Sequence, residues 1–240
     1  MKSLEKQRTI EQRLTELQER MESAAARTGR SGSDIEVIAV TKTHPVDTVL
    51  EAIECGITHF AENRVQEAEE KIPQLGAQDV TWHMVGHLQR NKAKDALGLF
   101  HRLHSLDSKR LARRIQLQLE KLDMTSYPAY VQVNTSGEKS KYGILPDALA
   151  PLLDLIAREC PRIRVEGLMT IAPYVDDEAI LRKTFRGLRE LRETTEVCEY
   201  HNVELRDLSM GMTNDYEIAI EEGATHLRIG RAIFGKRRSR

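Results

Sequence analysis

Lys42 closes an apolar run, Ile35-Glu36-Val37-Ile38-Ala39-Val40-Thr41, and Pro45 follows three residues later. A run so rich in Ile and Val reads as a parallel strand covered on both faces, ended by the proline. Where parallel strands form sheets or barrels, ligand sites gather at their C-terminal ends. A lysine delivered there has two readings. Apolar surroundings weaken its ammonium form, lower its pKa and leave an amine able to attack an aldehyde. Alternatively it has simply left the sheet, and its head reaches water along an aliphatic stem.

Two later segments have the residues to hold an anion: Leu208-Ser209-Met210-Gly211-Met212 and Leu227-Arg228-Ile229-Gly230-Arg231. Gly211 and Gly230 let backbone N–H groups approach closely, and the short helix opened by Arg231 favours negative charge at its start. Both can also be ordinary turn glycines. An amine facing a phosphate cradle across one mouth calls for an aldehyde that carries a phosphate, and pyridoxal 5′-phosphate is the obvious candidate. Strand alternation turns Arg228 away from the side of Leu227 and Ile229. A guanidinium only donates, so beside a pyridine nitrogen it would keep that nitrogen unprotonated and the ring a weak electron sink. The competing role for Arg228 is an ion pair with a carboxylate such as Asp207.

These residues need a scaffold that brings distant strand ends together. Strand-like runs at 35–42, 58–62, 81–85, 102–106, 128–134, 164–170, 205–209 and 225–229 each precede a helical pattern. Eight such repeats predict a closed (β/α)₈ barrel. A doubly wound open sheet is the competing fold, but neither G-x-G-x-x-G nor a P-loop is present. Before the repeats, Ile10, Leu14, Leu17 and Met21 recur at helical spacing, with Ser3 as a cap and Thr28-Gly29 as the stop. The expected organisation is a single domain over 1–240: a helix over 1–30 packed outside a barrel over 31–240.

Composition narrows the class. The chain has 240 residues, 40% hydrophobic and 30% charged, with a formal charge of −1. That supports a sizeable core and gives no general pull toward nucleic acid or membrane. Cys55, Cys160 and Cys198 lie far apart and form no metal-type pair, which suits reduced thiols in a cytosol. No run reaches membrane-spanning length. A cytoplasmic protein is expected.

Taken together, Ala39-Val40-Thr41-Lys42-Thr43, Glu62-Asn63-Arg64-Val65-Gln66-Glu67, Trp82-His83-Met84-Val85-Gly86-His87-Leu88-Gln89-Arg90-Asn91-Lys92, Gly167-Leu168-Met169-Thr170-Ile171, Leu208-Ser209-Met210-Gly211-Met212 and Arg228-Ile229-Gly230-Arg231-Ala232-Ile233-Phe234-Gly235 closely resemble the pyridoxal phosphate homeostasis protein family. Several motifs in fixed order span almost the whole chain. The resemblance implies a barrel of the alanine racemase N-terminal type, with pyridoxal 5′-phosphate held as a Schiff base on Lys42 and released by transimination. It further implies that Arg228 faces the pyridine nitrogen, that Ser209, Gly230 and the Arg231 backbone hold the phosphate, and that Asn63 lies beside the cofactor. Two positions depart from the family pattern: Ala61 stands where glycine is frequent, and Arg231 where some members carry Thr or Ser.

Catalytic turnover is a separate matter. Racemisation needs two placed acid/base groups, and Lys42 supplies one. In alanine racemases the second is a tyrosine from a partner subunit; Tyr142, Tyr174 and Tyr216 are the loop candidates here. The expectation is a monomeric cofactor carrier rather than an enzyme, with a weak or specialised amino-acid racemase as the alternative and amino acids as further partners. His83 and His87 have metal-pair spacing but lie at a strand end, so no metal is expected. Lys139 and Lys141 could briefly accept cofactor or be solvated loop lysines. The basic tail 236–240 reads as a solvated end.

Overall fold

The structure, a computed structural model, describes residues 8–138, 141–195 and 200–235. Eight strands run parallel: β1 (Glu36–Val40), β2 (His59–Glu62), β3 (Thr81–Met84), β4 (Arg102–Leu106), β5 (Tyr127–Gln132), β6 (Ile163–Met169), β7 (Val203–Ser209) and β8 (His226–Ile229). Each pairs with its sequence neighbours, and β8 pairs with β1, so the sheet closes into a barrel. Around it lie α2 (Val46–Glu54), α3 (Val65–Lys71), α4 (Ala93–Leu99), α5 (Lys109–Lys121), α6 (Leu149–Glu159), α7 (Glu178–Thr194), α8 (Tyr216–Glu221) and α9 (Arg231–Phe234), after an opening helix α1 (Ile10–Ala26).

The (β/α)₈ reading of the periodicity therefore holds, with two local differences. The first strand stops at Val40, and Thr41-Lys42-Thr43 form a turn rather than its end, because Thr43 adopts φ +67°. The opening helix starts at Ile10 under a capping box of Thr9 and Gln12; Ser3 lies outside the described residues. Leu17, Met21, Ala24 and Ala25 of α1 are buried, and the helix packs on α8 and α9. Arg20 and Arg27 pair with Glu217, and Arg27 also with Glu221, along that seam.

Strand alternation divides the buried residues into two sets. Outward-facing Phe60, Trp82, Met84, Leu103, Val131, Leu208 and Leu227 join helix residues such as Leu111, Ile115, Leu152, Phe185 and Ile220 in one large apolar cluster between sheet and helices. Inside the barrel only a small apolar cluster forms, from Ile38, Val40, Ala61 and Val85. Ala61 thus has a packing partner for its methyl group where a glycine would leave a gap. The rest of the interior is polar: side chains of β4 and β7 meet as His104–Ser209, and those of β5 and β8 as Tyr130–His226. Stacked branched residues are the usual filling of such barrels.

Candidate functional site at the C-terminal mouth

Lys42 stands half-buried just past β1, in a turn gripped on both sides. On one side, Lys71 Nζ of α3 donates to the Thr41 carbonyl at 2.9 Å and pairs with Glu62 and with Glu67, the latter at 3.1 Å. On the other, Glu67 accepts the Thr43 N–H. Thr41 Oγ1 donates to Glu62 Oε1 at 2.7 Å. The positive φ of Thr43 is costly for a β-branched residue, and these bonds hold it. Glu62 is fully buried, which pushes its carboxyl pKa up, while Lys71 and Thr41 pull it down. Motif reading included Glu62 and Glu67 but missed their role and missed Lys71. The available signal was a lysine four residues after Glu67 on the buried side of a helix.

Asn63 follows β2 and is half-buried. A Cβ at Gly86 would lie 2.1 Å from the Asn63 carbonyl oxygen, so only glycine lets the β3 end press against this backbone. Ser105 fixes Gly86 by donating to its carbonyl at 2.6 Å.

Arg228 is 5% exposed and lies inside the barrel. Its Nη1 donates to Ser209 Oγ and its Nη2 to the Thr170 carbonyl, both at 2.7 Å. Burial lowers its pKa to about 10, against the pull of Asp215, and it stays a cation at neutral pH. The pairing with Asp207 left open by the sequence does not form; Asp207 accepts from Tyr130 Oη at 3.2 Å instead. Ser209 is also fully buried, with its hydroxyl between Arg228 and His104 Nδ1, the latter at 2.9 Å. Its side chain therefore seats Arg228 and faces the barrel interior.

The loops after β7 and β8 are tied together. Gly211 turns the chain at φ +95°, and Asp215 Oδ1 accepts the Met212 N–H. Thr213 Oγ1 accepts the Ala232 N–H at 3.3 Å, and Arg231 Nη2 donates to Asn214 Oδ1 at 3.0 Å. Gly230 caps the start of α9, and the Arg231 side chain is exposed. Thr213 and Asn214 escaped the sequence reading, although they directly follow the Met210-Gly211-Met212 motif.

The other candidates separate. Tyr142 is 60% exposed and stacks on His87 with ring centroids 4.1 Å apart, and Tyr174 is 79% exposed. Tyr216 is buried, with Arg20 of α1 over its ring at 5.6 Å. His83 is buried inside the barrel, whereas His87 faces Asp107 at 3.1 Å, so the two do not share a site. Glu36, His59 and His83 do offer ligand atoms within 4.8 Å of one another. Both ring nitrogens of His59 and His83, however, already face hydrogen-bond partners. Lys141 Nζ donates to the Ala172 carbonyl at 3.3 Å. Lys139, Cys198 and the tail 236–240 lie outside the described residues. Among those described, no helix is long and apolar enough to cross a membrane.

A closed parallel barrel with a gripped lysine after β1 and a buried arginine on β8 defines a barrel of the alanine racemase N-terminal type, and that domain family matches residues 13–238. The chain belongs to the pyridoxal phosphate homeostasis protein family within it. It is 41% identical over 227 residues to the pyridoxal phosphate homeostasis protein of Aquifex aeolicus, covering 95% of this chain and 98% of that one. With the Vibrio cholerae protein of the same name it shares 39% over 237 residues, covering 96% and 97%. Among solved structures, Synechococcus elongatus PipY with pyridoxal phosphate bound superposes with a TM-score of 0.78 at 33% identity, covering 95% of this chain and all of that one. A Clostridium difficile alanine racemase, 15% identical with a TM-score of 0.68 and 57% of its chain covered, shares the fold.

Proposed function

We propose that this protein binds pyridoxal 5′-phosphate at the C-terminal mouth and serves its intracellular homeostasis, holding the cofactor as a Schiff base on Lys42 and passing it on by transimination. The observation that carries this reading is the Lys42 turn, held from Thr41 by Lys71 and from Thr43 by Glu67. Such a grip fixes the backbone from which the lysine side chain projects before any ligand arrives, which cuts the ordering cost of binding. The cofactor supplies an aldehyde carbon; joining it to the lysine amine forms a C=N bond and releases water, and a second amine can take the lysine's place.

The rest of the mouth fits the same ligand. Arg228 keeps its proton at neutral pH and only donates, so the ring nitrogen it faces stays unprotonated. Its two bonds to Ser209 and Thr170 fix that orientation. The phosphate is held by the Gly230 and Arg231 backbone, whose early N–H groups have no acceptor within their own helix. Thr213 and Arg231 lie beside it as further donors, and Ser209 contributes by seating Arg228. Asn63 borders the ring.

A donor-only partner weakens the ring as an electron sink, which suits storage better than Cα chemistry. The proposed protein is accordingly a cytoplasmic, monomeric carrier whose amino-acid partners act as amines in release, not as racemase substrates. Adding pyridoxal 5′-phosphate to purified protein tests the binding reading. A visible imine band in the wild type, absent in Lys42→Ala, is expected; equal spectra from both proteins would overturn it. Rapid deuterium exchange at the Cα of added amino acids would overturn the carrier reading while leaving binding intact.

A further inference from the structure

Behind the mouth, one file of side chains crosses the whole barrel. Arg228 Nη1 meets Ser209 Oγ at 2.7 Å, and Ser209 Oγ meets His104 Nδ1 at 2.9 Å. His104 Nε2 meets His83 Nδ1 at 2.9 Å, and His83 Nε2 meets His59 Nδ1 at 3.1 Å. His59 Nε2 then meets Glu36 Oε2 at 3.2 Å. Glu36 and His59 open on a cavity of about 550 Å³ at the N-terminal mouth, also lined by Asp207, Thr225 and His226. The file thus joins solvent at one end of the barrel to the arginine at the other.

The chemistry of its two ends sets its direction. A guanidinium only donates and a carboxylate only accepts. With neutral rings, one arrangement satisfies every link: Arg228 donates to Ser209, Ser209 to His104, and each imidazole carries its proton on Nε2 and donates onward, the last to Glu36. The reverse arrangement puts every ring proton on Nδ1. His104 then donates to Ser209, the serine hydroxyl proton must turn elsewhere, and His59 would face the Glu36 carboxylate without a proton. That defect disappears when His59 takes up one proton and becomes an imidazolium with N–H on both sides. The two states differ by a single added proton; the same pairs of atoms stay in contact, while His83 and His104 exchange tautomer and the donor and acceptor at each link between them trade places.

We propose that Glu36 and His59 form a proton-binding site at the N-terminal mouth, and that protonation of His59 reverses the file and reorients Ser209 beside Arg228. Burial is the largest influence on His59 and holds its pKa below the ordinary imidazole value, so it charges only on acidification; of the groups facing it, Glu36 of β1 favours the imidazolium, Arg102 of β4 and His226 of β8 oppose it, and His83 of β3 meets its Nδ1. His83 and His104 are held neutral by burial, so they transmit by changing tautomer and not by charging. Glu36 Oε1 is buried and accepts no aligned hydrogen bond, although His226 Nε2 lies 3.2 Å away, so the carboxylate has capacity left for a cation at this end.

The test is a pH titration of the full chain with ¹⁵N-labelled histidine, read by two-bond ¹H–¹⁵N correlations that distinguish the two tautomers from imidazolium. At neutral to mildly alkaline pH, His59, His83 and His104 should all carry the proton on Nε2. On acidification, His104 should move to the Nδ1 tautomer in step with charging of His59, while itself staying neutral. Glu36→Gln, whose amide can donate to His59, should move His104 at neutral pH without acid. His59→Leu, which removes the acceptor of the His83 proton, gives a second variant should the first fail to fold. His104 already on Nδ1 in the wild type, or still on Nε2 once His59 has charged, would overturn the proposal. Any change in affinity for pyridoxal 5′-phosphate across the titration rests on the function proposed above, whereas the nitrogen shifts of the ligand-free protein do not, so the two can fail separately.

Discussion

The two sides of the barrel wall are built to different rules. Outside it, Phe60, Leu111, Ile115, Phe185 and Leu208 pack with no side-chain polar group to satisfy. Inside it, Ile38, Val40, Ala61 and Val85 form one small corner, and the remaining space holds histidines, Arg228, Tyr130 and Ser209 in directed hydrogen bonds. The shell stabilises through area removed from water, which is tolerant of detail. The interior tolerates little, because a buried polar group that loses its partner keeps the full desolvation cost. The difference teaches that stability and the setting of the site are separable in this molecule, and substitutions on the two sides should fail in different ways.

The largest loss of stability is expected in the shell. Phe185→Ala, at a fully buried site, should cost about 3–5 kcal/mol in chemical denaturation, while any protein that remains folded keeps the Lys42 environment. Lys71→Met should cost about 3 kcal/mol by stranding Glu62 in the interior. The double variant Lys71→Met with Glu62→Leu should recover part of that loss. A double variant no more stable than the single one would show that the pair itself, and not the stranded carboxylate, sets the cost.

Mild acid, above the range where the surface carboxylates titrate, should act on the interior. The unfolded imidazoles of His83 and His104 titrate near 6.5, whereas burial holds both well below that value in the fold. As pH falls through about 6.5, the unfolded chain binds protons that the folded chain refuses, so stability drops by up to about 1.4 kcal/mol per pH unit for each group. Above that range the two contribute no slope. Denaturation curves from mildly alkaline to mildly acidic pH would show it, and His104→Gln should flatten the slope. The smallest effect on stability is expected at the site itself: Lys42→Ala should leave the unfolding free energy within about 1 kcal/mol of wild type.

The shell was the legible side in the sequence. Runs such as Val37-Ile38-Ala39-Val40 and the helical spacing of Leu14, Leu17 and Met21 mark strands and helices by apolar periodicity, and eight repeats of the unit fix the topology. Lys42 and Arg228 were legible because a charged residue in an apolar strand context stands out. The grip of Lys71 on Thr41 was not, because it joins a helix to a turn 30 residues away. The histidine file was hidden for a related reason. His59, His83 and His104 each occupy an inward position on a different strand, and only barrel closure brings them into line. Ser209 looked like a mouth residue from its place at a strand end, and its hydroxyl turns inward because His104 and Arg228 both claim it.

The most direct test of the central claim is reductive trapping at Lys42. Purified protein loaded with pyridoxal 5′-phosphate would be treated with borohydride, digested, and the pyridoxylated lysine located by mass spectrometry. The account predicts one dominant adduct, on Lys42, formed at one cofactor per chain. Label spread across surface lysines, or concentrated on any other residue, would contradict it.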